Sequence, residues 1–428
     1  MGIVENLLRD VALPRMVRVH QNFPATALAD VAAAVRAECR KPEIAAKVKP
    51  GARIAVTAGS RGLADLPVLV STVVAELKRL GAEPFIVPAM GSHGGATDEG
   101  QKDLLGRLGV TEESAGCPIR SSMKTVQLGV MAGNNLPVLM DANAMGADGI
   151  VLINRVKPHT SFSGPYESGL VKMISIGLGK QQGAESCHAL GFGAMAKNIV
   201  AMAEIKLAKA PFLFGLASLE NACEKVAKVV AVPAERIMAE EPALLLEAKA
   251  AMPSIPFTPI DVLVVDRTGK EFSGSGADPN ITGRADTPHI AMTQHSERMV
   301  FLDLSDTSHG NATGLGLADV ITKRFRDKID YEATYANHIT ATVIGAAAVP
   351  MTMPNDRLAL QAAVKTCCRL DIEGLRMVRV KNSLHLDTMQ ISEGLLAEAR
   401  NNPRLTIESE PEAWPFDAQG NLPNVGAW

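Results

Sequence analysis

The chain reads as an α/β protein of two α/β domains with mainly parallel sheets, the N-terminal one Rossmann-like, with its active site expected in the cleft between them. Three observations lead to that class. Short continuous apolar runs of strand length recur along the chain. They alternate with longer stretches whose apolar residues repeat at helical spacing. Glycine-rich loops follow directly after several of the apolar runs.

The first strand is predicted at 53–57 (RIAVT), followed by a small glycine-containing loop at 58–64. Residues 66–80 carry apolar side chains at helical spacing, with Pro67 in the first turn, where a missing N–H leaves no bond unmade. Gly81 suits the helix end, and 84–88 (PFIVP) forms the next strand. A strand–helix–strand unit of this kind favours parallel pairing through a right-handed crossover. The loop 89–96 leads into Thr97-Asp98-Glu99, an acidic helix start. Further strands are predicted at 149–154 (GIVLIN), 260–266 (IDVLVVD), 299–304 (MVFLDL) and 377–380, with helices across 180–208, 315–326 and 358–369. A turn-rich stretch, 268–287, separates two of these strands. The segment from Pro253 to Pro259 is the best linker. It divides the chain into 1–255, an N-terminal domain bearing cofactor and catalytic residues, and 256–428, a C-terminal domain that closes the substrate cleft.

The composition narrows the function. A length of 428 residues suggests roughly two to three domains and a core large enough to need no disulfides. Lysine plus arginine number 43 against 46 acidic residues, and aromatic residues are only 4%, so the basic footprint and stacking platforms of a nucleic-acid binder are missing. Six cysteines without C-x-x-C spacing make neither a disulfide framework nor a zinc ribbon, and the adjacent Cys367 and Cys368 read as helix packing. The N-terminus lacks a basic stretch followed by a long apolar one, and no apolar run reaches the ~18 residues of a membrane span. The expectation is a soluble cytoplasmic protein acting on a small molecule, with no nucleic-acid or membrane partner.

Ligands of open α/β sheets bind beyond the carboxyl ends of strands. Four loops in such places hold titratable or flexible residues: Ser60-Arg61-Gly62, Gly91-Ser92-His93-Gly94-Gly95, Lys157-Pro158-His159, and Gly274-Ser275-Gly276 onward to Arg284. His93 is either an exposed loop histidine or a ring held where backbone approaches a ligand closely. His159 is either a turn histidine or a side chain aimed by Pro158. At the mouths of adjacent strands the two would make an acid/base pair, because imidazole changes charge near neutral pH. Lys172 lies in an apolar stretch (GLVKMI) and either snorkels to the surface or is desolvated and reactive. His188, sixteen residues later, is a packed helical histidine or a metal ligand; without a second ligating motif nearby, its other ligands would come from a cofactor. Asp306, His309 and Asn311 follow another strand and either cap a helix or line the cleft.

This series (Ser-Arg after a strand, G-S-H-G-G-A-T, K-P-H-T, then G-L-V-K and a histidine sixteen further on) resembles the nickel-dependent lactate racemase family across about residues 50–300. The resemblance implies an isomerase, a racemase or epimerase of a 2-hydroxy acid, that carries a nickel-pincer nucleotide and depends on cofactor-biosynthesis proteins. It also implies the site residues. Lys172 would be the covalent tether of the cofactor, His188 the protein ligand of nickel, His93 and His159 the acid/base pair, and Arg61 the holder of the substrate carboxylate. Arg284 would stand where the family places a lysine and would clamp a second carboxylate or polar tail. Ala58 replaces the family's aspartate three residues before the arginine, which leaves the hydroxy acid open among lactate-like and larger sugar acids. Nickel(II) with soft sulfur donors and one imidazole suits a square-planar field. Two other classes stand beside this one: a nickel-free enzyme using Lys172 as a Schiff-base nucleophile on a carbonyl substrate, and a non-catalytic homologue that binds a small acid. Association into homo-oligomers is left open.

Overall fold

The computed structural model describes residues 2–24, 26–60 and 62–428, and the chain divides into two compact units. One is Ala25–Met252; the other joins Met1–Pro24 to Pro253–Trp428. The chain crosses between them at 252–253, close to the anticipated linker, but the anticipated start at residue 1 is corrected. Strand Met16–Gln21 pairs antiparallel with Thr388–Ser392 and with Leu405–Ile407, so the N-terminal segment belongs to the sheet of the second unit. Its partners are more than 350 residues away in sequence, which no local pattern announces.

The unit Ala25–Met252 contains a five-stranded sheet in the order Glu83–Pro88, Arg53–Ala58, Gly149–Arg155, Phe212–Glu220, Val226–Pro233. The first four strands run parallel and the fifth is an antiparallel edge. The parallel strands are apolar residue after residue because both faces are covered. Val56, Ile86, Val151 and Leu216 pack on one face against Leu69, Val73 and Leu77 of helix Leu66–Arg79. Their neighbours Ala55, Val87, Ile150 and Leu152 pack on the other face with Leu170, Ile174, Ala203 and Leu245. Helix Leu66–Arg79 ends in the expected way: Gly81 takes a φ of 85°, its N–H reaches the Lys78 carbonyl, and the Ala82 N–H reaches that of Leu77. This 6→1 and 5→2 pair needs a residue at ease with positive φ. A hairpin, Thr125–Val130 with Pro137–Asp141, lies outside the main sheet.

The second unit holds an eight-stranded mixed sheet. Met351–Met353, Val320–Thr322, Ser296–Leu304, Ile260–Thr268 and Met377–Val380 run parallel, and Thr388–Ser392, Met16–Gln21 and Leu405–Ile407 continue it by antiparallel pairs. The helix expected over 315–326 is replaced by a helical turn Leu315–Leu317, strand Val320–Thr322 and a short helix Lys323–Asp327. Two apolar residues and a threonine between two turns fit either element, and pairing with Val300 and Phe301 decides for the strand. The helix expected over 358–369 is Asp356–Thr366, capped by the Asn355 side chain. Among the described residues no helix is long and apolar enough to cross a membrane.

Candidate active site

Three strand ends of the Ala25–Met252 unit supply the candidate residues. His93 follows Glu83–Pro88, Ser60 follows Arg53–Ala58, and His159 follows Gly149–Arg155. The two histidines were expected on adjacent strands. Strand Arg53–Ala58 in fact lies between theirs, because the sheet order interposes it. With strands spaced ~4.8 Å apart, the two mouths are set about 10 Å from each other, enough to admit a small acid. Arg61, the expected carboxylate holder, lies outside the described residues.

The His93 loop is built from glycines in positive-φ conformations, Gly91, Gly94 and Gly95. A Cβ on Gly94 would stand 2.7 Å from the backbone of Gly100 and Gln101, so no side chain fits there. The buried Gln101 side chain donates from Nε2 to the carbonyls of Gly91 (2.9 Å) and His93 (3.1 Å). Its Oε1 accepts from Lys180 Nζ at 2.7 Å, and Lys180 also donates to the Pro88 carbonyl at 2.8 Å and sits 3.3 Å from Asp141. Burial pushes the Lys180 ammonium down and the Asp141 carboxyl up, each towards its neutral form. The His93 ring is exposed and its Nδ1 bonds the Ser60 hydroxyl.

His159 is half-buried and differently held. Its backbone N–H donates to Glu167 Oε2 at 2.7 Å, and its ring Nδ1 accepts the Ser161 N–H at 3.0 Å. An Nδ1 that accepts leaves the proton of the neutral ring on Nε2. Glu167 is itself buried and also takes the Gly164 N–H and the Lys249 ammonium, so the loop 157–168 is closed on a paired carboxylate. The ring of Phe192 lies between two candidates, 6.1 Å from His159 and 5.9 Å edge-on from His188.

Lys172 sits on helix Leu170–Ser175, and of the six residues it alone escapes full burial. His188 closes helix Lys180–His188. Its Nδ1 donates to the Ala184 carbonyl at 2.7 Å, which leaves Nε2 as the lone-pair nitrogen. Desolvation lowers the His188 pKa, the Ala184 hydrogen bond opposes this, and the Lys172 charge lowers it further. The ring is therefore held towards its neutral form. These two helices are drawn against the His93 loop: the Gly91 N–H bonds the Gly177 carbonyl, and a Cβ on Gly91 would touch Ala184.

A nickel-pincer nucleotide fits this donor set. A neutral imidazole oriented through Nδ1 by a backbone carbonyl is the usual form of a histidine ligand. Among the described residues no group of three histidines, cysteines or carboxylates could hold a metal without such a partner.

The second unit requires a correction. Arg284 was expected to grip substrate, but its guanidinium is committed. Nε donates to the Ser296 carbonyl at 3.2 Å, Nη1 to that of Leu317 at 3.2 Å, and Nη2 to that of Glu297, with Asp319 2.7 Å away. It ties the turn-rich loop to the sheet. Asp306 pairs with Lys328 at 2.9 Å, His309 ends a helical turn at φ 48°, and Asn311 donates to the Ala333 carbonyl at 3.1 Å, so all three act as turn and cap residues. Gln101, Lys180, Phe192, Glu241 and Lys206 went unnoticed in the sequence. A lysine inside an otherwise apolar helical face, as at Lys206, was the one available signal.

Comparison with known proteins adds to this geometry. Residues 7–199 match the family model of the lactate racemase N-terminal domain. No curated protein matches the chain. Among solved structures, a protein from Thermotoga maritima is 13% identical with a TM-score of 0.49, over 74% of this chain and 82% of its own. The lactate racemase apoprotein from Thermoanaerobacterium thermosaccharolyticum is 14% identical with a TM-score of 0.49, over 79% and 87%. The matched span contains His93, His159, Lys172 and His188. The chain thus carries, over residues 7–199, a segment that matches the lactate racemase N-terminal domain.

Proposed function

We propose that the chain is an isomerase that racemises or epimerises a 2-hydroxy acid with a nickel-pincer nucleotide bound between Lys172 and His188. The observation that carries this reading is how His188 is held: burial favours its neutral imidazole and the Ala184 carbonyl takes Nδ1, which leaves Nε2 as the lone-pair nitrogen, with the Lys172 charge among the influences on the ring. Lys172 would tether the cofactor covalently and His188 would ligate its nickel. The chemistry supplied by the bound group is reversible acceptance of a hydride from C2.

The chain's own residues handle the proton. The C2 hydrogen of a 2-hydroxy acid resists removal as a proton, because the neighbouring carboxylate is already negative. Loss of hydride together with the hydroxyl proton gives a planar 2-keto acid instead. His93 faces a serine hydroxyl that can donate or accept, so its ring can act in either protonation state. His159, with Nδ1 taken by the Ser161 N–H, carries its neutral-ring proton on Nε2, the atom that would serve a substrate oxygen. The two rings, on strands either side of Arg53–Ala58, would serve opposite faces of the substrate. Phe162 and Phe192 pack by His159 and shield its side of the site from water.

Racemisation in deuterium oxide tests the reading. The chain, co-produced with the cofactor-building proteins, is given single enantiomers of lactate and of larger hydroxy acids. Inverted product that keeps its C2 protium supports hydride return. Wash-in of deuterium at C2, or substrate trapped on Lys172 by borohydride, would point to carbanion or Schiff-base chemistry and overturn it.

A further inference from the structure

Two buried ionisable side chains play no part in the chemistry above, and both end on the helix that carries Lys172. Glu241, on helix Ile237–Ala251, is 1% exposed. Its Oε2 accepts the Val171 N–H at 2.9 Å, and the Leu170 N–H also bonds the carboxyl. Lys206, on helix Phe192–Lys209, is wholly buried and donates from Nζ to the carbonyls of Ile174 (2.9 Å) and Ser175 (2.7 Å). Among the described residues neither is in a salt bridge with an oppositely charged side chain. One takes first-turn N–H groups and the other last-turn carbonyls, the groups that a helix cannot bond internally. The acid sits at the positive end of the helix dipole and the base at the negative end.

We infer that Glu241 and Lys206 form a clamp of positioning residues that sets where the Lys172 amine points. The inference rests on the proposed role of Lys172. A helix of six residues is marginal in water and needs outside contacts to persist. The clamp supplies them at both ends, while Leu170, Val171, Met173 and Ile174 are sunk in the core. Gly169 belongs to the same device: a Cβ there would lie 2.4 Å from Glu241 Oε1, so the glycine leaves the carboxyl its seat. Asn154 Nδ2 donates to the Gly169 carbonyl at 2.6 Å and joins the helix start to the strand that leads to His159. Burying a carboxyl and an amine without ion partners is costly. A merely space-filling role would be met by apolar residues, whereas a fixed helix direction needs bonds at both ends.

The test uses the full-length chain without cofactor, in wild-type, Glu241→Gln and Lys206→Met forms. Acetic anhydride labels amines, and peptide mass spectrometry gives the rate at Lys172 relative to Lys197. Amide hydrogen exchange is followed at 170–176 and in strand Gly149–Arg155. Each variant is expected to change the relative labelling rate at Lys172 several-fold and to raise exchange at 170–176 by at least ~10-fold, with the strand unaffected. Unchanged labelling and local exchange in both variants would overturn the clamp, and so would loss of the whole fold in both, because the pair would then be a general core element. The result is independent of the cofactor assignment, which fails separately if wild-type chain co-produced with the builders gains no mass at Lys172.

Discussion

Replacing Glu241 by glutamine should remove a distinct pH dependence of stability. Burial is the largest influence on this carboxyl and pushes it up to about 7 from its ordinary 4.5, against the pull of the Val171 and Leu170 N–H groups. The folded pKa is raised, so the stabilising contribution is complete below about pH 4.5 and is lost as pH rises through about 7. At ~1.36 kcal/mol per pH unit, the difference of ~2.5 units amounts to about 3 kcal/mol. Urea unfolding of the wild type and Glu241→Gln, followed by circular dichroism at about pH 4.5 and about pH 8, isolates this contribution, since every other titrating group is shared. The wild type should lose about 3 kcal/mol relative to the variant across that range. Parallel pH profiles for the two proteins would refute the account of a buried, ion-partnerless carboxyl. Lys206 should behave in the opposite sense. Its folded pKa is depressed by burial to about 7 from 10.5, so its contribution is present above about pH 10.5 and is lost as pH falls towards 7.

Other substitutions separate the remaining roles. His93→Ala and His159→Ala should each reduce interconversion by at least ~100-fold while the cofactor stays bound, read by chiral chromatography beside intact mass; near-wild-type turnover in either would contradict the acid/base pair. His188→Ala should keep the Lys172 adduct but lose most of its nickel, measured by elemental analysis. Lys180→Met leaves the wholly buried Asp141 without its counter-charge and should cost about 3–5 kcal/mol in urea unfolding, with the His93 loop the first to gain exchange. Arg284→Ala should cost about 2 kcal/mol through lost carbonyl bonds and leave the ranking of hydroxy acids unchanged; a shift in that ranking would restore it as a substrate contact.

Much of the Ala25–Met252 unit was legible because its elements are local. The run 53–57, the helical spacing after Pro67, Gly81 and the run 84–88 each speak for themselves, and the structure places them with shifts of one or two residues. The order of the strands is not local, and so the separation of His93 from His159 by strand Arg53–Ala58 was missed. Strand Met16–Gln21 was missed for the same reason, since its partners come from the far end of the chain. Among site residues, titratable side chains on glycine-rich loops were visible as such. Gln101 and Lys180 were not, because a polar residue on an amphipathic helix looks solvated until tertiary packing buries it. Arg284 shows the converse: a loop arginine beside glycines suggested a ligand clamp, and the backbone carbonyls that occupy it come from three separated positions.

The most direct measurement is the intact mass and nickel content of the chain made alongside the cofactor-building proteins, followed by peptide mapping. The account predicts an added mass on the peptide containing Lys172 and one nickel per chain that depends on His188. A chain that racemises a hydroxy acid while Lys172 remains unmodified and nickel is absent would contradict it.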